Sequence, residues 1–395
     1  IITILSFTFN FNDLRKFITH IIIFLIPLVC ILTPSFLLFY HSGEFFKSTK
    51  FINRFNQNKD SLIGYMRSQN NYRKIKLEKI LNNNSYDVWV LGTSRVLQLR
   101  EEMFSSSFYN LGLMIDPISD IKTFLDVVPK NKMPKLIILG LDQWVFNMDW
   151  VENTELKNQY FWQKSFRYFP NFQDIRDLNS KILNDEIQYF ETVKKAVNSK
   201  NKIGLSAILN NSGIRHDGSM YYGEKIKFLS NNKNIDYSSE FENAIDRINN
   251  GNRRFQVGKT PRQKSFKELS EVLKVLKSYN IKMIAFFTPF SKIVYDKMNE
   301  VDYNYDYIKI SSKKLNILFE AYENDYEFWD YSDPMLINSD NNEFIDGFHA
   351  GELTYAKIIL NMIENNSVIH NHINFNRLKN EIKNTKNRLI IYNEN

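Results

Sequence analysis

The sequence predicts a three-layer α/β/α domain, built on a parallel sheet with a long insertion and preceded by one transmembrane helix. Short apolar runs end in turn-forming residues, amphipathic stretches lie between these runs, and a long apolar segment stands near the N-terminus. Strands that alternate with helices form parallel sheets, and the helices cover both faces of such a sheet.

Composition excludes several classes of protein. Hydrophobic residues make up 43% of the sequence, which excludes a wholly disordered chain. The length of 395 residues leaves room for about two domains or for one domain with an insertion. No G-x-G occurs, so a Rossmann fingerprint and a P-loop are both excluded, and the single cysteine excludes disulfide frameworks and cysteine-rich zinc sites. The net charge of +7 does not by itself choose among nucleic acid, anionic glycan and membrane surface as a partner.

Residues 17–40 form an apolar segment long enough to cross a bilayer, with His20 inside it. Pro27 and Pro34 would kink this helix, which membranes tolerate. No A-x-A-like cleavage site follows, so a retained anchor is favoured over a signal peptide or a buried helix.

The charges that flank this anchor and the size of the domain that follows it predict opposite orientations. Arg15 and Lys16 precede it and four basic residues follow it, a balance that favours a cytoplasmic domain. Long domains translocate largely regardless of such charges, and the only cysteine, Cys30, lies within the anchor. We therefore expect a single-pass cell-membrane protein with its large domain extracytoplasmic, which excludes nucleic acid as a partner.

Five runs are predicted to be strands. Residues 86–92, 135–142 and 281–289 are rich in Val, Ile and Phe, as strands buried on both faces are, and residues 107–112 and 326–332 are plausible further strands. With helices between them, they predict a flavodoxin-like parallel sheet, whose site forms where the strands end. The expected organisation is a tail (1–16), the anchor (17–40), a polar stalk (41–84), the domain (85–364) with an insertion (148–262), and a C-terminal extension (365–395).

Two motifs carry candidate chemistry. Residues 91–95, LGTSR, follow the first strand and place Ser94 at a strand-to-helix turn, where it is either a nucleophile or a helix cap, a role that Thr93 fills equally well. Asp346 and His349 are three residues apart before the C-terminal helix, so the carboxylate can orient the imidazole as a general base. We expect Ser94 and His349 to lie within hydrogen-bonding distance.

Four blocks in this order resemble the SGNH (GDSL-type) hydrolase superfamily. GTSR stands where that family has G-D-S, DGFH matches its D-x-x-H, residues 110–112 match its glycine block, and residues 140–142 partly match its G-x-N. The resemblance covers roughly residues 86–147 and 264–364 and leaves the insertion unmatched. It implies a catalytic triad of Ser94, His349 and Asp346, with no cofactor, and an oxyanion hole that includes the backbone amides of Ser94 and Gly112.

Asp142 is the departure from this pattern, because it stands where the family has an asparagine. An ionised carboxylate donates no hydrogen bond, so Gln143 or Asn147 would supply the donor, or the oxyanion hole is weaker. Asp142 could instead bind substrate hydroxyls or cap its loop.

Other polar residues are weaker candidates. Arg215 and His216 could line a cleft for a sugar chain, or lie in a solvated loop. His370 and His372 form H-x-H, but no carboxylate pattern accompanies them, and we expect no metal.

The resemblance leaves two functions open. An anchored protein that has the GTSR motif and a long insertion resembles one branch of this superfamily. That branch includes proteins of alginate O-acetylation and teichoic acid D-alanylation. This implies a serine esterase or O-acyltransferase acting on a cell-envelope polysaccharide. An acyl donor and an envelope-biosynthesis protein are then the candidate partners. The alternative is a catalytically degenerate protein that binds a glycan or acts as a scaffold.

Overall fold

A computed structural model describes residues 11–46, 48–66, 70–82, 85–150, 170–232, 234–322 and 325–392. Residues 1–10 of the expected tail, 151–169 of the expected insertion and 393–395 of the expected extension lie outside the described residues. The described helices are α1 (Phe11–His41), α2 (Ser48–Gln57), α3 (Asn70–Asn82), α4 (Ser119–Val127), α5 (Phe172–Leu183), α6 (Tyr189–Asn198), α7 (Leu205–Asn210), α8 (Gly223–Asn231), α9 (Tyr237–Glu240), α10 (Glu242–Asn249), α11 (Gln263–Ser278), α12 (Lys292–Met298), α13 (Asp306–Glu320), α14 (Glu352–Glu364) and α15 (Phe375–Asn384).

The strands form two sheets. They are β1 (Leu62–Ile63), β2 (Val88–Gly92), β3 (Phe108–Gly112), β4 (Leu136–Leu141), β5 (Lys202–Ile203), β6 (Ser212–Ile214), β7 (Met220–Tyr222), β8 (Lys282–Phe287) and β9 (Tyr326–Asp330).

The larger sheet has five strands in the order β3-β2-β4-β8-β9, and every neighbouring pair is parallel. Each strand falls within one of the five runs that predicted it, so the parallel α/β sheet expected from the sequence is confirmed. Every residue of β2, β3 and β4 is buried. Their sequences are almost continuously apolar because neither face of these strands meets water.

Side chains alternate between the two faces of this sheet, and each face has its own hydrophobic cluster. Trp89 and Leu91 of β2 pack in one cluster with α4, α11 and α13. Val88 and Val90 pack in the other with α14 and α15. Because all five strands run in the same direction, the polar residues that follow them are gathered at one edge of the sheet.

The N-terminal helix α1 is long and apolar enough to cross a membrane. Its segment Leu14–His41 spans 28 residues, and the most apolar part of that segment has a mean hydropathy of 2.7. Only 11% of this most apolar part is buried in the protein. Its last turns pack against the rest of the chain, where Leu38 and Phe39 join a cluster with α5 and α6. Ser35 Oγ donates to Asn179 Oδ1 at 2.6 Å. The end of the apolar helix is therefore attached directly to the insertion.

The described parts of residues 41–84, a segment expected to form a stalk, are packed into the fold. Strand β1 pairs with β5 and β6 of the insertion in the small sheet β5-β1-β6-β7. Helix α3 buries Ile75, Lys76 and Ile80 completely or nearly so. The polar composition that favoured a stalk reflects side chains that bond to other parts of the chain across long sequence distances.

Lys76 is the clearest of these side chains, because it is fully buried and donates from Nζ to the carbonyl oxygen of Gly112 at 2.8 Å. Burial lowers the pKa of Lys76 to about 7, although the charge of Asp217 raises it. Between this pKa and the ordinary value of 10.5 the unfolded chain binds more protons than the folded one. The free energy of unfolding should therefore rise with pH in this window.

Lys76→Met is expected to remove this pH dependence. Between pH 7 and pH 9 the wild type should gain about 2 kcal/mol of stability relative to the variant. Denaturant unfolding of both proteins at the two pH values measures the difference, and a constant difference would contradict the account of Lys76.

Candidate active site

Ser94, His349 and Asp346 meet where β2 ends. Ser94 Oγ lies 2.8 Å from His349 Nε2, and His349 Nδ1 lies 2.7 Å from Asp346 Oδ2. With the Nδ1 proton donated to the carboxylate, Nε2 is free to accept the proton of the serine hydroxyl. The three side chains thus form a continuous chain of hydrogen-bonding contacts from hydroxyl to imidazole to carboxylate, called the relay below.

The turn that carries Ser94 explains why its hydroxyl is available. Strand β2 ends at Gly92, and a single 3-10 turn, Ser94–Val96, follows. Thr93 caps this turn, since its Oγ1 accepts from the backbone N–H of Arg95 at 3.3 Å. The capping role that the sequence left open between Thr93 and Ser94 therefore falls on Thr93.

Asp346 and His349 belong to a closed loop. Asp346 Oδ1 accepts from the backbone N–H of Phe348 at 3.0 Å and of His349 at 2.8 Å, which leaves Oδ2 for the imidazole. Burial raises the pKa of Asp346, but the charge and hydrogen bond of His349 and these two amides outweigh it and hold the pKa below its usual value. Asp346 is therefore an anion at neutral pH.

The relay is partly open to solvent. The His349 side chain is 16% exposed and that of Asp346 is 40% exposed, while Ser94 is half-buried. Tyr222 of the insertion lies nearby, with its ring centroid 6.4 Å from that of His349. A substrate group could reach the serine without the domain opening.

Arg95 holds the parts of the site together, and sequence analysis gave it no role. It is 1% exposed, and its guanidinium donates to the carbonyl oxygens of Phe348, Thr288 and Pro289 at 3.1, 2.9 and 2.7 Å. Its Nη1 also donates to Gln143 Oε1 at 2.8 Å. One side chain thus connects the serine turn to the histidine loop and to the segments that follow β4 and β8.

Two aromatic rings and a tyrosine complete the surroundings of Arg95. The guanidinium carbon lies 4.5 Å from the ring centroid of Phe290 and 5.3 Å from that of Trp144. The Tyr355 hydroxyl donates to the backbone oxygen of Arg95. These contacts fix the position of the Arg95 backbone and therefore that of the neighbouring Ser94.

Asp142 and Gln143 also belong to this buried network. Asp142 is 3% exposed, and its Oδ1 lies 3.5 Å from Arg95 Nη1. Burial raises the pKa of Asp142, and the charges of Arg95 and Arg254 oppose this rise. Gln143 Nε2 donates to Thr288 O at 2.7 Å and to Ser332 Oγ at 2.9 Å, so the amide considered as an oxyanion donor is already engaged.

Two of the three remaining candidates for the oxyanion hole are engaged as well. The backbone N–H of Gly112 donates to Asn110 Oδ1 at 2.8 Å. Asn147 Nδ2 donates to the backbone oxygen of Gln256 at 2.7 Å and so fastens a loop of the insertion. The Ser94 amide differs from these, since its N–H donates to no acceptor in the part of the chain that the structure describes.

Asn110 is a second residue that sequence analysis missed. It is fully buried, and its Nδ2 donates to the backbone oxygens of Val96 and Leu99 at 2.9 Å each. A buried asparagine in an otherwise apolar strand is the signal that could have found it, because such a side chain requires partners. It connects the middle of β3 to the serine turn.

Arg215 and His216 lie apart from the relay, in a polar network of the insertion. Arg215 Nη2 pairs with Glu352 Oε1 at 3.5 Å, and His216 Nε2 lies 2.7 Å from Glu101 Oε1. Both line a cavity of about 600 Å³ between β1, the insertion and the segment that follows Arg100. Ser94 and His349 do not line this cavity, so substrate binding by Arg215 and His216 stays a prediction.

The two histidines of the H-x-H motif each contact a serine residue. His370 Nδ1 contacts Ser367 O at 2.8 Å and His372 Nδ1 contacts Ser106 Oγ at 2.9 Å. Among the described residues no group of three or more His, Cys, Asp or Glu side chains is arranged to hold a metal ion.

Comparisons of the chain with protein-family models, with curated proteins and with solved structures find no match.

Proposed function

We propose that the chain is a membrane-anchored, extracytoplasmic serine esterase or O-acyltransferase that acts on a cell-envelope polysaccharide and has an SGNH-like, three-layer, flavodoxin-like fold. The observation that carries this proposal is the continuous relay from Ser94 Oγ through His349 to Asp346, with distances of 2.8 and 2.7 Å. The capping of the turn by Thr93 supports it, because Ser94 is then free of a structural role.

The proposed reaction is a two-step acyl transfer. His349 Nε2 removes the proton of Ser94 Oγ while Oγ attacks the ester carbonyl, and Asp346 stabilises the imidazolium that forms. The tetrahedral intermediate collapses, and the leaving alcohol takes the proton from His349, which leaves an acyl group on Ser94. Water or a sugar hydroxyl then attacks this acyl-enzyme with His349 again as the base, giving hydrolysis or transfer.

The backbone N–H of Ser94 is the proposed first donor to the developing oxyanion. The second proposed donor is the N–H of Leu113, for which no acceptor lies among the described residues. Lys76 Nζ holds Gly112 O, and across a trans peptide the N–H of Leu113 points the opposite way. Arg95 pairs with Asp142, which balances the carboxylate charge that would otherwise oppose an oxyanion.

The proposed topology places the domain outside the cytoplasm, with α1 as the anchor. One apolar helix, α1, precedes the rest of the described chain. The single cysteine, Cys30, lies within α1, so the part that follows the helix contains none. Protease added to intact cells or spheroplasts is expected to cleave the domain. Cleavage only after lysis would contradict this orientation.

A non-catalytic glycan-binding or scaffold protein is the second candidate. It is favoured by one observation, that the amides of Gly112, Gln143 and Asn147 are all engaged within the protein. Such a protein would keep its function after loss of the serine hydroxyl.

Paired variants of the serine turn separate the two candidates. Ser94→Ala is expected to change the ester content of the envelope polysaccharide at an unchanged melting temperature, because a half-buried hydroxyl that is not a cap contributes little to stability. Thr93→Ala, the matched control, is expected to cost about 1 kcal/mol of stability and to leave the ester content near that of the wild type. Normal ester content in the Ser94→Ala strain would favour the non-catalytic candidate.

A further inference from the structure

The helical hairpin of α5 and α6 packs beside the last turns of α1. Residues of both hairpin helices share one hydrophobic cluster with Leu38 and Phe39 of α1. Asn179 of α5 is also bonded to α1 twice, since its Oδ1 accepts from Ser35 Oγ at 2.6 Å and its Nδ2 donates to the backbone oxygen of Ile31 at 3.1 Å. The hairpin therefore covers one side of α1 inside the segment that is apolar enough to cross a membrane.

The turn between α5 and α6 points toward the N-terminal part of α1. At the other end of α6, Val197 lines a cavity together with Tyr40 and His41, where α1 ends. Since α6 packs along α1, the first turn of α6 lies beside an earlier part of α1. Phe190 precedes Val197 by two helical turns, about 11 Å, so it lies level with the region of Thr33.

The length of α1 places this level at the surface of the hydrocarbon core. Lys16 is the last lysine or arginine before the apolar segment. A core of about 30 Å takes about 20 helical residues, so a crossing that begins at Phe17 ends near Phe36. Thr33 then lies one turn inside this boundary. Tyr40 is exposed and lies one turn outside it, at the interface where tyrosines are common.

Two large apolar side chains are exposed at the turn of the hairpin. Leu183, one helical turn beyond Asn179, ends α5 and is 82% exposed, and Phe190 in the first turn of α6 is 84% exposed. Removal of such side chains from water is favourable. Asp185 and Glu186 between them are exposed as well, and a carboxylate is costly in hydrocarbon. The turn can therefore enter the bilayer only as far as the interface.

We propose that the α5–α6 turn, residues 183–190, is a second membrane contact that inserts Leu183 and Phe190 into the interface of the bilayer that α1 crosses. The inference rests on the proposed anchoring by α1 and is independent of the reaction at Ser94. The occupant of this surface is lipid, because the exposed side chains lie next to α1 at the level where the hydrocarbon begins. Apolar surfaces that lie in a membrane interface reach about 5–10 Å into it.

This second contact has a consequence for the position of the domain. A single helix can rotate and tilt in a bilayer, and its neighbours and interfacial anchors decide both. The hairpin is bonded to α1 through Asn179, so the inserted turn and the crossing helix form one unit. Together they fix the height and the tilt of the domain above the membrane.

Spin labels at the turn measure its depth. Leu183→Cys and Phe190→Cys, each in a Cys30→Ser chain, receive a nitroxide, and the full chain is reconstituted into vesicles of phosphatidylethanolamine and phosphatidylglycerol. Oxygen concentrates in hydrocarbon and a nickel chelate stays in water, so their relative effects on the relaxation of the label report its depth. Oxygen is expected to have the larger effect at both positions, at a melting temperature equal to that of the wild type.

Val197→Cys in the same Cys30→Ser chain is the matched control. Val197 is an apolar residue of α6 that is 58% exposed, but it lies near His41, on the water side of the boundary. Here the nickel chelate is expected to have the larger effect. A larger effect of the chelate at positions 183 and 190 would overturn the second contact. Labels there that neither reagent reaches would also overturn it, since a covering protein or a second copy of the chain produces that result.

The native Cys30, labelled in the wild type, keeps the anchor and the second contact distinguishable. Cys30 is exposed on the part of α1 assigned to the crossing, so oxygen should have the larger effect on its label. If oxygen has the larger effect at Cys30 and the chelate at the turn, the second contact is overturned and the anchor stands. If the chelate has the larger effect at Cys30, the anchor itself is contradicted, and the second contact with it.

Discussion

Replacement of His349 by alanine is expected to slow ester hydrolysis by roughly 10³- to 10⁴-fold, the loss that removal of a general base produces. The imidazole lies 2.8 Å from Ser94 Oγ, and no other base is within hydrogen-bonding distance of that hydroxyl in the described part of the chain. The rate of hydrolysis of an activated neutral ester by the purified protein measures this loss.

His372→Ala is the matched control for this variant. His372 contacts Ser106, just before β3 begins, and so lies at the opposite edge of the sheet from the relay. Its replacement should leave the rate unchanged. An equal loss in both variants would show that the first effect came from general damage to the fold.

Replacement of Arg95 by alanine is expected to produce the largest loss of stability, about 3–5 kcal/mol. The change leaves Asp142 as a buried carboxylate without its cation, and it removes the donor to Gln143 Oε1 and to three backbone carbonyls. The free energy of unfolding from denaturant titration measures the effect.

Arg377→Ala provides the comparison for Arg95→Ala. Arg377 is 52% exposed and pairs with Glu381 one helical turn away, at 2.8 Å. Exposed pairs of this kind contribute little, so the expected loss is within about 0.5 kcal/mol. Similar losses in the two variants would contradict the role given to Arg95.

The strands of the main sheet could be predicted because their signal is local. A run such as residues 135–142 is continuously apolar because β4 is buried on both faces, and burial on both faces is what a central parallel strand requires. The pairing of Asp346 with His349 could be predicted for a similar reason, since their spacing is that of a single closed loop. The contact of His349 with the distant Ser94 was expected from the order of the two motifs and the family resemblance.

The parts that could not be predicted depend on contacts between distant residues. Arg95 stood in the motif that was analysed, but its partners follow β4 and β8, and no local pattern relates them. Lys76 contributed to the polar composition that favoured a stalk, yet its side chain is fully buried and donates to Gly112 O. Composition does not distinguish a polar residue that is buried against distant partners from one that is exposed to solvent.

The most direct measurement of the central claim, that Ser94 is an activated nucleophile, is its covalent modification by an alkyl phosphonate. Only a serine whose proton is removed by a neighbouring base attacks such a reagent readily. The account predicts that mass spectrometry of the digested protein finds one adduct, on the peptide containing Ser94, and that Ser94→Ala and His349→Ala both abolish it. An unmodified Ser94 in the folded wild type, or equal labelling after loss of His349, would contradict it.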